Sequence, residues 1–297
     1  MSRVYRSFLM DSTRWDWYEP RDTDIVISTA PKAGTTWTQR IVSSLIFSGE
    51  LPDTLHNLSP WWEGRIQHRE LQDLLAVLEG QTHRRFIKSH LPADALPLSP
   101  SVRHIVVARD PRDTAVSLHS HYANRFPVLA TLPPLTGPDV HSPSAPSPVS
   151  DVTEFWRKHF TTSVFPWEAD GWPANSPTHH LSSWWRHRDQ PNVLLLHYQD
   201  MWADLDGQMR RVAQFLDIPI PDESRWQVVV DGCRLDAMRA QAATVSPSAD
   251  ASFFGGGGRS RWRDAVPEQH HDLGDAALQR LEPSLRTWLT ESDSRKG

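Results

Sequence analysis

The chain has 297 residues, a net charge of −5 with His neutral, 38% hydrophobic residues and 23% charged ones. That length suits one large domain or two small ones, no run approaches the roughly 18–20 apolar residues of a bilayer span, and the acidic balance weighs against a nucleic-acid binder, which carries a basic surplus. A single cysteine, Cys233, excludes an intrachain disulfide and a cysteine-only zinc site.

The opening stretch, Met1–Asp11, carries Arg3 and Arg6 but no apolar region followed by a small-residue cleavage site, so it does not read as a signal peptide. With the lone cysteine, this places the chain in the cytoplasm. Asp24–Ser28 is a short β-branched run, a predicted buried strand. A turn-rich loop, Thr29–Gly34, follows. Thr35–Ser48 then has apolar residues at helical spacing, with Gly49 in the C-cap position. Arg69–Leu78 reads as an amphipathic helix, Arg85–Lys88 as a strand and His104–Ala108 as another, leading into a helix over about Thr114–Ala123. Asn192–His197 is a fourth strand and Leu205–Leu216 a further helix. Strands alternating with helices predict an α/β fold: a single domain with a parallel sheet covered on both faces. Ligands bind beyond the carboxyl ends of such strands, and Lys32, His90 and Arg109 all fall there.

Residues 126–150, rich in Pro, Ser and Thr, predict a mobile loop or lid. Residues 240–258, small and Gly-rich, predict a second flexible segment. The 14 tryptophans suit core packing, with a wall for an apolar acceptor as their other use.

The loop Ala30-Pro31-Lys32-Ala33-Gly34-Thr35-Thr36-Trp37 has the chemistry of a phosphate cradle. A helix N-terminus offers unpaired N–H groups and partial positive charge, Gly34 permits close backbone approach, Lys32 adds a full charge, and Thr35 and Thr36 add hydroxyls. It is not a Walker A loop, in which Gly-Lys-Ser/Thr closes the motif.

That loop resembles the 5′-phosphosulfate loop of the sulfotransferases that use 3′-phosphoadenosine-5′-phosphosulfate (PAPS), where P-K-S/A-G-T-T-W is usual. Phe86-Ile87-Lys88-Ser89-His90-Leu91-Pro92 is similar to the segment carrying the family's catalytic base. Val107 to Ser117 is similar to its 3′-phosphate motif, and His197-Tyr198-Gln199-Asp200-Met201 to its Y-E-D-M segment. Val4–Ser7 and Arg84–Phe86 resemble the actinobacterial glycolipid sulfotransferase branch. The resemblance implies a single domain over residues 1–297, similar to the P-loop nucleotide kinases. It further implies His90 as general base with Lys32 and Lys88 as catalytic partners, and a PAPS site formed by Lys32, Ala33, Gly34, Thr35, Thr36, Trp37, Arg109, Ser117 and Tyr198. It implies no metal, and a hydroxyl acceptor such as a lipid, glycolipid or phenol. A kinase-like phosphotransferase and an inactive nucleotide-binding protein are the competing readings.

Near the C-terminus the chain departs from the family. Where an Arg-Lys-Gly segment closes the nucleotide site, Phe253–Trp262 has four glycines followed by Arg259 and Arg261. Gly257 and Arg259 are the expected substitutes for the missing basic pair, with Arg261 second. Cys233 and Leu235 stand where Thr and Phe often meet adenosine. The family's dimer motif has no clear match, so the sequence assigns no oligomeric state.

Overall fold

The computed structural model describes residues 2–66, 70–245 and 260–291. The four predicted apolar runs become four parallel strands: β2 (Ile25–Thr29), β3 (Phe86–Ser89), β4 (Arg103–Ala108) and β6 (Val193–His197), in the order β3-β2-β4-β6. A short parallel pair, β1 (Arg6–Ser7) with β5 (Val140–Ser142), lies apart from them. Successive side chains of a strand point to opposite faces. Ile25, Ile27, Ile105 and Val107 accordingly enter one core cluster, while Val26 and Val106 enter another.

The first cluster packs beneath α1 (Thr35–Ile46), the short α2 (Leu55–Leu58), α7 (Tyr198–Ala203) and α8 (Leu205–Phe215). On the opposite face lie α3 (Leu71–Glu79), α6 (Pro177–Trp185) and the rings of Trp15, Trp62 and Trp184. Core packing takes most of the tryptophans. Trp15, Trp62, Trp156, Trp184, Trp226 and Trp262 are fully buried, whereas Trp37 and Trp61 reach a cavity at the carboxyl edge of the sheet. At the opposite edge, Asp24 is fully buried and accepts from Arg85 Nε at 2.7 Å and from the Tyr18 hydroxyl at 2.6 Å, joining the starts of β2 and β3 away from the cavity.

One boundary differs from expectation. The helix after β4, α4, runs from Pro111 to Leu129 and takes in Pro127. Asp110 caps its start by accepting from Arg112 N, and Pro111 occupies the first turn, where a missing N–H costs nothing. Proline and weak periodicity past Ala123 hid its last turn from the sequence. Beyond it, residues 130–150 lie across the N-terminal segment and α4. Arg6 donates to the carbonyls of Pro138 (2.5 Å) and Thr136 (3.3 Å), Arg65 to that of Pro133 (2.8 Å), and Tyr122 to that of Pro146 (2.5 Å). Between α4 and α6 lies α5 (Val152–Thr161), and Asp151 caps it.

Candidate active site

All four strands of the main sheet deliver one functional residue at their carboxyl ends. The loop after β2 brings Lys32, β3 brings His90, β4 brings Arg109 and β6 brings Tyr198. Neighbours along this edge touch. The His90 imidazole bonds the Thr29 carbonyl at 2.8 Å, Arg109 Nη1 donates to the Lys32 carbonyl at 3.0 Å, and the Arg109 guanidinium lies 4.4 Å from the centre of the Tyr198 ring.

In the loop 30–34, Lys32 is in the left-handed region at φ 67° and Gly34 at φ 114°. For a lysine that conformation costs about 1–2 kcal/mol, and the bond from Arg109 to its carbonyl helps hold it. At Gly34 a Cβ would stand 3.0 Å from the Tyr198 ring, so the chain could not pass so close to that ring with a side chain there. No side chain caps the N-terminus of α1, and Thr35, Thr36 and Trp37 face the cavity from it. The Trp37 indole is held from behind by the Cys233 carbonyl at 2.8 Å.

The cavity encloses about 230 Å³. Lys32, Lys88, Arg109, Arg125 and Arg261 line it, and among the described residues no Asp or Glu does. In a chain of net charge −5 this is a local concentration of positive charge, suited to a polyanion. Burial lowers Lys32 to about 7, reinforced by Arg109, Lys88 and Arg125. It also lowers Lys88 to about 8. Arg109 Nε is buried with no bonding partner among the described residues, a donor left over for an anion. Ser117, two turns into α4, faces the same space, and further along that helix face come Leu118, His121, Tyr122, Arg125 and Leu129. Phe8, Ile66 and Ala174 add apolar surface at that end.

His90 has a defined tautomer. A carbonyl only accepts, so Nδ1 carries the proton given to Thr29 and Nε2 keeps its lone pair. Burial first, and Lys88 second, push its pKa well below the usual value, so the ring is neutral at pH 7. Asn175 holds the His90 carbonyl at 2.8 Å. The Lys88 ammonium sits 4.5 Å from the Trp61 ring centre, and that ring meets His90 edge-on at 4.9 Å.

A buried carboxylate that sequence reading missed lies behind this group. Glu63 is wholly buried and accepts from His90 N at 2.7 Å, Ser89 Oγ at 3.1 Å, Trp61 Nε1 at 2.6 Å and Trp15 Nε1 at 3.0 Å. Only its placement one residue after Trp61–Trp62, beside a strand ending in Lys-Ser-His, could have signalled it.

Two expected nucleotide contacts fall elsewhere. The Ala33 side chain is buried and its N–H is given to the Ala30 carbonyl at 3.1 Å, so it shapes the loop rather than facing the cavity. Cys233 is fully buried, with its thiol 3.2 Å from Ser44 Oγ, because the turn that carries it packs inward against α1. Leu235, two residues on, reaches the cavity instead. Cys233→Ala is expected to lower stability by about 1 kcal/mol and to leave nucleotide affinity unchanged, as thermal unfolding and calorimetric titration with 3′,5′-diphosphoadenosine would show. Gly257 and Arg259 lie outside the described residues. Arg112 pairs with Asp110 at 2.7 Å and Asp275 at 2.6 Å and covers the Trp262 ring, away from the cavity. Among the described residues no His, Cys, Asp and Glu side chains gather as a metal site requires, and no helix is long and apolar enough to cross a membrane.

A model of the sulfotransferase domain matches residues 22–282. The chain belongs to the sulfotransferase family. It is 37% identical over 317 residues to a glycolipid sulfotransferase of Mycobacterium bovis, covering 97% of this chain and 94% of that protein. A glycolipid sulfotransferase of Mycobacterium tuberculosis is likewise 37% identical, over 314 residues, with the same coverage. Its fold is similar to that of a mouse sulfotransferase complexed with PAP (TM-score 0.69, 21% identity, 97% of this chain and 95% of that one). Retinol dehydratase in complex with androsterone and PAP gives a TM-score of 0.69 at 22% identity, over 93% of this chain and 85% of that one. The activity is therefore sulfuryl transfer from PAPS, and the kinase reading gives way to it. This sulfotransferase has the residues such a donor needs: a cationic cradle, an uncapped helix N-terminus and a buried guanidinium N–H without a partner among the described residues.

Proposed function

We propose that this sulfotransferase sulfates a hydroxyl on the polar headgroup of a glycolipid, with His90 as the general base. The observation that carries this reading is the composition of one cavity. Its sheet end is polar and cationic, while the distal half of α4 gives it an apolar wall interrupted by His121 and Arg125. A lipid-linked sugar has both characters. The near full-length similarity to mycobacterial glycolipid sulfotransferases supports the same class.

In this reading His90 Nε2 takes the acceptor's hydroxyl proton as the acceptor oxygen bonds to sulfur. Lys32 steadies the charge that the departing 5′-phosphate gains when its bond to sulfur breaks, and Lys88 orients the sulfuryl oxygens. Transfer of this loose, in-line kind needs positioning and charge stabilisation more than covalent work. Gly34, Thr35, Thr36 and Trp37 cradle the 5′ end of the nucleotide. Arg109, Ser117 and Tyr198 hold its 3′ end, and Arg261, which lines the cavity, supplies charge where the family has its basic pair. The 126–150 segment serves as the lid on the acceptor side, where Leu129 lines the wall. The chain's one thiol, the buried Cys233, suits the reducing cytoplasm.

The test is transfer of radiolabelled sulfate from PAPS to neutral glycolipids and, in parallel, to simple phenols. The expected result is a kcat/KM at least about tenfold higher for a glycolipid, the equivalent of roughly 1.4 kcal/mol of acceptor contact. Equal efficiency on a phenol would remove the lipid headgroup from the proposal while leaving the sulfuryl transfer intact.

A further inference from the structure

We propose that Glu63 is a positioning residue for the reaction centre, fixing the His90 backbone and the Trp61 ring and supplying the negative charge that Lys88 faces. The inference rests on the roles given above to His90 and Lys88.

Glu63 stands beside the edge of the sheet. Lys88 N donates to the Pro60 carbonyl at 3.0 Å and Trp62 N to the Lys88 carbonyl at 3.2 Å, so residues 60–62 run along the end of β3. Gly64 permits the Trp61 ring to fold over it, since a Cβ there would come within 2.3 Å of that ring. The carboxylate then lies under the very residues that do the chemistry. Three of its four donors are indole or amide N–H groups, which can only donate. A neutral amide in its place would turn an NH₂ toward at least one of them.

Burying an ionised carboxylate is costly unless charge and hydrogen bonds compensate. Burial raises the Glu63 carboxyl above its ordinary range, and the hydrogen bonds from its donors offset only part of that rise. Two cations feel its charge, Arg14 and Lys88, and the Lys88 ammonium lies on the face of the same indole whose N–H is bound to Glu63. Lys88 otherwise meets positive or neutral neighbours: Arg125 and His121 from α4, Lys32 from the loop after β2, and His90 from its own strand end. Burial lowers Lys88, Glu63 raises it and Arg125 lowers it further, leaving it at about 8. A lysine with a depressed pKa loses its charge as pH rises through that value. Without Glu63 it falls further, and the cation that orients the sulfuryl group is lost at a lower pH.

The experiment measures kcat and the KM for PAPS against pH in wild type, Glu63→Gln, Lys88→Met and the double variant. Glu63→Gln is expected to move the alkaline limb of kcat down by roughly half a unit or more. Its KM for PAPS should stay within about twofold of wild type, since donor binding is not its task. The double variant should show the profile of Lys88→Met alone. An alkaline limb at the wild-type position in Glu63→Gln, or a shift that persists without Lys88, overturns the proposal. A Lys88→Met enzyme with wild-type kcat throughout overturns instead the role given to Lys88. Should Glu63→Gln not fold, Trp15→Phe removes one donor from the carboxylate. With its anchor weakened, the His90 and Trp61 group should lose kcat while the KM for PAPS stays within about twofold of wild type, and an unchanged kcat counts against the proposal.

Discussion

His90→Ala is expected to lower kcat by about 10²–10⁴, the usual range for loss of a general base, while binding of 3′,5′-diphosphoadenosine stays near wild type. The split follows from the geometry. His90 is fixed through Nδ1 to the Thr29 carbonyl and through its own carbonyl to Asn175, so its free Nε2 can serve only what enters the cavity. The proposed nucleotide cradle is built on the neighbouring strands. The pH profile adds a second reading. Burial and Lys88 keep the imidazole neutral to well below its ordinary value. A base is active above its pKa, so the acid limb belonging to His90 should lie below about pH 6.5, the unperturbed value. Single-turnover kinetics with a saturating acceptor would isolate the chemical step. Wild-type rates in that assay would remove His90 from the mechanism.

Lys32→Met is expected to weaken both nucleotide binding and turnover, because in the proposed reaction the ammonium meets the group on which charge develops. A charge-assisted contact of this kind contributes about 1.5–3 kcal/mol, or roughly 10- to 150-fold in affinity. The free enzyme holds Lys32 at about 7, through burial and three neighbouring cations. A bound polyanion favours its charged form and raises that value. Between the two pKa values, free enzyme must take up a proton to bind, so affinity falls as pH rises. Calorimetry at pH 8 in buffers of different ionisation enthalpy should detect net proton uptake in wild type and less of it in Lys32→Met. Unchanged affinity together with unchanged proton uptake would show that Lys32 does not face the phosphate.

Much of this organisation was legible in the sequence, because the parallel sheet is buried on both faces and each strand announces itself as a short apolar run. The loop from Ala30 to Trp37 could be read on chemistry alone, since Lys, Gly and two Thr at a strand-to-helix junction have few other uses. What escaped was set by contacts across the chain. Glu63 sits in an aromatic segment with no periodicity, and its meaning appears only when that segment lies along β3. His121 and Arg125 follow Ser117 at helical spacing, but Pro127 and the polar run beyond it concealed that α4 continues. The resemblance puts Cys233 at an adenosine-contacting position, but in this chain its side chain turns inward toward Ser44.

The lateral contacts along the strand ends, from His90 to Thr29, from Arg109 to Lys32 and from Arg109 to Tyr198, tie the reaction centre to the pairing of the sheet itself. A slip of one residue moves a strand by about 3.3 Å and turns its side chains to the opposite face. Such a slip in β4 would withdraw Arg109 from both partners and expose Val106 and Val107 to the wrong cores. Misregistered sheets are therefore inactive as well as poorly packed. The arrangement of the candidate reaction centre is thus as exact as the alignment of the strands that carry it.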